Sequence, residues 1–318
     1  MRGPDFTLLY DAGSNDDLAR GNGNRVLAYL ATLTPRITRI DHVILSHPHR
    51  DHVELLPDVL RKYPVGDVWD SGATTEICGY RNFLQEIAAH PASQYHTATR
   101  DAGPETRTLG DKNCYGKDEF LQSIALHHGA RIKALQSIPI GNGAAMRFLY
   151  VNGNTKQNLN ENSLVVRLDL ADHRVLLMGD AQGGDRAPPA SIPRTDSIEG
   201  QLLNCCMSEL KADVMVVGNH GSNTSSRTAL LDAVQAEVFI VSSGPTPYSG
   251  VKLPDSEVLT ALDQRARVLR TDDDDAHCAS SRAKVGPDND GKAGGCDNIL
   301  VTLTAGKAVS ASYRHVAD

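Results

Sequence analysis

The sequence predicts an α/β (α+β) fold in which two mixed β-sheets pack together under flanking helices. The expected product is a four-layer αββα sandwich formed by residues 1–318 as one domain. Three observations predict it. Short β-branched runs occur in both halves of the chain, with helix-like segments between them. Residues 214–217 and 238–241 are apolar at every position, as in strands buried on both faces. A composition of 40% hydrophobic and 22% charged residues can fill a sizeable core.

The elements follow in order. Residues 6–10 read as a strand ending in Asp11-Ala12-Gly13-Ser14, and residues 24–33 as a helix with Val26, Leu27, Leu30 and Leu33 on one face. A strand over 40–46 comes next, then a helix over 53–62 that stops at Tyr63-Pro64. Residues 65–69 read as a strand and 82–89 as part of a helix. The stretch 91–113 is polar and loop-like, and 120–128 reads as a helix capped by Gly129. Strands are expected at 131–135, 145–151, 163–170 and 175–178, the last two joined as a hairpin at Asp172-His173. Helices near 202–210 and 228–234 precede the two buried strands, a further helix covers 258–265, and 299–304 pairs with 309–313. Inserted loops are expected near 91–116, 183–197 and 273–297, and neither an internal repeat nor a domain-separating linker stands out.

The net charge of −7 gives no bulk reason to expect nucleic-acid binding, so any such contact would need a local basic patch or a bound metal. No apolar run approaches the roughly 18 residues of a membrane span, and the N-terminus carries no signal-peptide core. The chain begins only a few residues before its first strand, so an upstream segment is expected. Cys278 and Cys296 bracket a polar loop, and Cys78 and Cys114 lie in loop-like sequence; Cys278–Cys296 and Cys78–Cys114 disulfides would indicate a periplasmic or secreted protein. Cys205-Cys206 reads as helix-buried thiols, and without disulfides a soluble cytoplasmic location stands equally open.

The chemistry is concentrated in His47-Pro48-His49-Arg50-Asp51-His52. Three imidazoles and a carboxylate at this spacing are ligands for a zinc-class ion, and they follow a strand, where α/β enzymes place their chemistry. A hydrolytic site needs distant ligands as well. Residues 175–178 run into Gly179-Asp180, and 214–217 into Gly218-Asn219-His220-Gly221-Ser222, placing a carboxylate and an imidazole at two further strand ends.

With these motifs the sequence resembles the metallo-β-lactamase superfamily, on the H-x-H-x-D-H loop, Asp11 after an earlier strand, and Gly179-Asp180. Within it the chain is most similar to the hydrolase domain of ComEC-type DNA-uptake proteins and their stand-alone relatives. That narrower likeness rests on Asn160-x-x-Ser163-Leu164-Val165-Val166, Ala212-Asp213-Val214, His220-Gly221-Ser222-x-x-Ser225-Ser226, Ser242-Ser243-Gly244 with Tyr248, and Leu269-Arg270-Thr271-Asp272. The chain departs from the pattern in four places: at the absent hairpin before Phe6, at Asn219 beside His220, at Val53-Glu54-Leu55 after the ligand loop, and at Leu253-Pro254, where a His is lacking.

The resemblance implies a metallo-β-lactamase-type fold and a divalent metal, Zn2+ first and Mn2+ second, with two ions per chain or one. It implies His47 and His49 on one ion, Asp51, His52 and His220 on the other, and Asp180 bridging. Asp51, Asp180 and His220 are the expected catalytic residues, working through a metal-bound hydroxide. Asp11, Asn160, Ser222 and Tyr248 are candidates for supporting the ligands or contacting substrate.

The expected activity is hydrolysis of a phosphodiester, as a nuclease or phosphodiesterase on DNA, RNA or nucleotides. Alternatives are hydrolysis of a small ester, lactone, thioester or β-lactam, and a degenerate metal-binding protein without catalysis. A membrane-channel partner follows from family analogy alone. The remaining histidines read as structural: His127-His128 at a helix end, His42 packed on its strand, His90, His96 and His173 on the surface or in turns. Asp288-Asn289-Asp290-Gly291 fails the EF-hand pattern and reads as a solvated loop.

Overall fold

The computed structural model describes residues 1–13, 21, 24–110, 122–244, 247, 250–272 and 298–314. These fall into two compact units, the first comprising Met1–Lys133, Ile140–Asn142 and Val151–Leu164, and the second Ala134–Pro139, Gly143–Tyr150 and Val165–Asp318.

The first unit is built on β1 (Leu8–Tyr10), α1 (Arg25–Ala31), β2 (Ile40–Leu45), α2 (Arg50–Val53), α3 (Leu56–Lys62), β3 (Val65–Asp70), α4 (Cys78–Ala89), β4 (Gln94–Thr97), β5 (Gly103–Leu109) and β6 (Gln122–His128). The sheet order is β1-β2-β3-β4-β6-β5, with β1 to β4 parallel and β5 antiparallel to β6. Val43, Leu45 and Val68 pack with Leu56, Val59, Phe83 and Leu84 into one apolar core. Each such fully buried side chain contributes about 1.5–3 kcal/mol. Alternation places His42, Asp67, Trp69 and His96 on the sheet's other face. There Asp67 lies 3.3 Å from His42 Nδ1 and 3.0 Å from His96 Nε2.

The second unit contains β7 (Ser137–Gly141, shared at its end with the first), β8 (Ala144–Tyr150), β9 (Val165–Leu170), β10 (His173–Leu177), α5 (Ile198–Cys206), β11 (Val214–Val216), α6 (Thr228–Val234), β12 (Val238–Val241), α7 (Ser256–Asp263), β13 (Arg267–Arg270), β14 (Ile299–Thr302) and β15 (Ser310–Tyr313). Seven strands run in the order β13-β12-β11-β10-β9-β8-β7, and β14-β15 form a separate antiparallel pair. The β10–β13 half is parallel, and β9–β10 is the hairpin expected at Asp172-His173. Leu176, Met215 and Phe239 pack on Leu202, Leu230, Leu231 and Leu262 of the covering helices. Both large sheets are thus mixed and flanked by helices, as the sequence predicts.

Several local expectations are corrected. The helix expected over 120–128 is not found in its described part: Gln122–His128 is strand β6, whose burial alternates with Ile124, Leu126 and His128 inward. The period of two, not the apolar content, decides the element. The polar stretch after residue 91 holds β4 and β5, and residues 131–135 form no strand. Residues 267–270 add the unforeseen edge strand β13. Cys78 starts α4 rather than lying in a loop. Cys205 and Cys206 are bonded to each other rather than being two buried thiols. His96 and His173 are buried rather than on the surface: His96 Nδ1 bonds Ala130 O at 2.7 Å, and His173 Nε2 bonds Thr304 O at 3.1 Å. Cys114, Cys278, Cys296, Tyr248 and the 288–291 loop lie outside the described residues. Among the described residues, no helix is long and apolar enough to cross a membrane.

Candidate metal centre

In the first unit the ligand loop begins where β2 ends. Ser46 continues the strand line, Pro48 cannot donate to a ladder, and His49 is the N-cap residue of the short helix α2. The loop is tied down by backbone bonds from Ala12 N to His52 O (2.8 Å), Leu55 N to Ala12 O (2.9 Å) and Leu164 N to Ser46 O (2.8 Å). Gly13 allows the closest of these approaches, since a Cβ there would lie 2.3 Å from the carbonyl carbon of Asp51.

The imidazoles are aimed by their neighbours. Asp11, itself at φ 58°, accepts from Ser46 N through Oδ1 (2.7 Å) and holds His52 Nδ1 through Oδ2 (2.8 Å). That bond puts the proton on Nδ1 and the lone pair of His52 on Nε2. His47 Nδ1 lies 3.1 Å from Ser46 Oγ and 3.4 Å from Ser163 Oγ, which leaves its Nε2 as the ligating atom, 2.9 Å from His49 Nδ1. Asp51 and His52 each offer a donor atom to a common cluster, with His52 Nε2 4.0 Å from Asp51 Oδ2. Convergent imidazole nitrogens and a carboxylate form the donor set that Zn2+ and similar ions take. His47 and His52 are buried, so the set is partly withdrawn from water.

Asn160 sits in a 3-10 turn, Leu159–Asn162, of the same unit. Its side-chain Oδ1 is buried with no partner among the described residues, an acceptor that a bound ion or its water would satisfy. Asn162 shapes this segment by donating to Asn152 O (2.7 Å) and Asn154 O (2.8 Å).

In the second unit Asp180 follows β10 and the left-handed Gly179 (φ 53°), and Gly179 O accepts from Asn219 N at 3.0 Å. Asn219 and His220 are both left-handed (φ 47° and 54°), a conformation that costs a non-glycine residue on the order of 1–3 kcal/mol and must be held by its surroundings. Ser225 Oγ bonds Gly218 O (2.7 Å) and Ser222 O (2.9 Å), and Asn219 Nδ2 bonds Thr224 Oγ1 (2.6 Å). His220 Nδ1 donates to Ser242 O (2.8 Å), which leaves the lone pair on Nε2, 3.4 Å from Asp180 Oδ1. Ser222 Oγ meets Thr224 and Arg186.

Sequence reasoning missed the groups that hold these loops. Ser46 links Asp11, His47 and His52. Glu199 is fully buried at the start of α5 and accepts from the backbone N–H groups of Ser226 and Arg227. Burial pushes its carboxyl up to about 7, against the lowering effect of those bonds and of the Arg227 charge. The buried Arg227 in turn donates to Asp185 O and Pro188 O, pinning the 183–197 segment. Neither Ser46 nor Glu199 has a local signal, because Asp11 for the one and the Ser226 and Arg227 amides for the other come from remote positions.

Residues 1–93, which carry β1, the ligand loop and α4, match the family model of the Metallo-beta-lactamase superfamily. Over this stretch the chain is similar to that superfamily. A relative from Haemophilus influenzae named Recombination protein 2 is 25% identical over 255 residues, covering 80% of this chain and 24% of that protein. The chain thus spans about a quarter of the length of this curated relative. Among solved structures, the metallo-beta-lactamase fold protein YhfI from Bacillus subtilis is 13% identical with a TM-score of 0.42, covering 85% of each chain. Zn(2+)-bound PqqB from Methylobacterium extorquens is 10% identical with a TM-score of 0.40, covering 84% of this chain and 82% of that one. CmlA, a diiron beta-hydroxylase from Streptomyces venezuelae, is 12% identical with a TM-score of 0.38, covering 75% and 46%.

Proposed function

We propose that this chain is a metal-dependent hydrolase of phosphodiesters, with a single-stranded nucleic acid as the substrate class. The carrying observation is the His47–His52 loop, whose donors converge while Asp11 and Ser46 fix the ring orientations. His47, His49, Asp51, His52, Asp180 and His220 would hold one or two divalent ions, Zn2+ or Mn2+. Such ions, when bound, supply Lewis acidity and a water acidified from a pKa of about 15.7 towards about 7. The chain's own residues do the rest. Asp11 keeps the His52 lone pair on Nε2 and Ser242 O does the same for His220, so both rings would present that atom to an ion. The name of the Haemophilus relative, Recombination protein 2, supports a nucleic-acid substrate over a small ester or β-lactam.

The test is incubation of the purified chain with labelled single-stranded DNA and Mn2+ or Zn2+. Cleavage is expected with the native chain and at least about 100-fold less with a His49→Ala, Asp51→Ala double variant. Equal cleavage by the double variant would remove the catalytic assignment. Hydrolysis of lactones or thioesters but not of DNA would replace the substrate class.

A further inference from the structure

The loops after β3 and β4 enclose an open groove of about 790 Å3, lined by Gly72, Thr74, Thr99, Arg100, Glu105 and Arg107 among others. Its place follows from the sheet. β2, β3 and β4 are parallel, with Leu45 beside Asp70 and Asp70 beside Thr97, so their C-terminal ends share one edge. The ligand loop leaves that edge at Ser46, and the groove residues leave it just after Asp70 and Thr97. Neighbouring strands are about 4.8 Å apart, which sets the groove roughly 5–10 Å along the edge from the ligand loop. β5 starts at the same end, with Gly103 paired to His128.

The cations of this groove are built into the fold. Arg107 is buried, its Nη1 donating to Tyr80 Oη (3.1 Å) and its Nη2 pairing with Glu105 Oε2 (3.0 Å). Tyr80 and Tyr95 hydroxyls donate in turn to the buried Asp70 at 2.9 and 2.7 Å. Glu105 also meets Arg100 Nε (3.2 Å) and His128 Nε2 (2.6 Å). Burial alone would raise the Glu105 carboxyl, but the Arg107 charge and the bonds from His128 and Arg107 hold it below its usual range. One carboxylate is thus shared by two guanidiniums and an imidazole, which neutralises it. The Arg100 side chain meanwhile stays 54% exposed. Asp101, the other lining acid, is exposed to solvent, where its charge is screened. Thr74 and Thr99 add hydroxyls, and Arg131 is moored next to them through Ala98 O (2.6 Å).

We propose that this groove binds the phosphates of a single-stranded nucleic acid whose scissile bond lies at the His47–His52 loop, with Arg100 as its exposed phosphate contact. The proposal rests on the phosphodiesterase reading. Guanidinium and hydroxyl donors match phosphate oxygens. An open groove along a strand edge suits a chain that passes through more than a small molecule that must be enclosed. The described lining carries no aromatic ring for base stacking, so the contact reads backbone rather than sequence.

The test uses the full chain kept in EDTA and a fluorescent thymidine oligonucleotide, with binding followed by anisotropy at several salt concentrations. Arg100→Glu is expected to weaken binding at least tenfold. Arg100→Gln should lower the slope of log affinity against log salt by about 0.7, the loss of one single-strand phosphate contact. Turnover of the small diester bis(p-nitrophenyl) phosphate with Mn2+ should stay within about twofold for both variants, since it does not reach the groove. Unchanged oligonucleotide affinity and slope in both variants, with small-diester turnover intact, would overturn the groove while leaving the hydrolase reading standing. Arg100-dependent binding by a chain that cleaves no diester with metal would uphold the groove and overturn the hydrolase reading. Equal loss of inorganic phosphate and oligonucleotide affinity would assign the site to free phosphate and overturn the nucleic-acid proposal.

Discussion

His47, His52 and His220 each commit Nδ1 to the protein, through serine hydroxyls, a carboxylate and a backbone carbonyl in turn, so Nε2 is the ligating atom in all three. Such supporting bonds typically carry 10–100-fold in metal affinity. Asp11→Ala should therefore lower affinity for Zn2+ by that factor while leaving the circular dichroism spectrum unchanged; a titration with native affinity would show that Asp11 does not orient His52. At this scale the H-x-H-x-D-H ligands are legible in the sequence because they are contiguous and their spacing is specific. Ser46, Gly13 and Glu199 are not legible: each acts on a group that only the folded chain brings near. His128 shows the converse, since its ring serves a Glu105 contact inside the first unit rather than a metal.

The elements carry the second lesson. Strands 40–45, 165–170, 173–177, 214–216 and 238–241 were legible from β-branched runs, because both faces of such strands are covered and the apolar signal is continuous. β6 was misread because its apolar residues are few and its true period is two, with polar residues on the outward face. β4 is a short interior strand, and β5 and β13 are edge strands, whose pairing comes from neighbours rather than from their own propensity. α5 supplies an element-scale prediction. Its Glu199 is raised in the folded state to about 7 from a usual 4.5, so the neutral carboxyl stabilises the fold fully below pH 4.5 and this contribution is lost as pH rises through 7. Native stability should fall by on the order of 3 kcal/mol across that interval relative to Glu199→Gln. Urea denaturation at a series of pH values checks it, and parallel curves for the two proteins would contradict it.

For the whole molecule, the two mixed sheets with flanking helices and the strand-end placement of the ligands followed from alternating elements and buried runs. The groove did not, because Arg100, Glu105 and Arg107 lie in a stretch read as loop, and a net charge of −7 says nothing of an exposed arginine beside a neutralised carboxylate. The proposed ligand set takes His47 and Asp180 from opposite halves of the sequence. Its most direct measurement is Zn2+ titration of the chelated chain alongside His47→Ala and Asp180→Ala, with stoichiometry and affinity read by calorimetry. Between one and two ions should bind the native chain, and each substitution should remove an ion or weaken binding at least tenfold. Native stoichiometry and affinity in Asp180→Ala, with loss in His47→Ala alone, would contradict the assignment of Asp180 as a ligand.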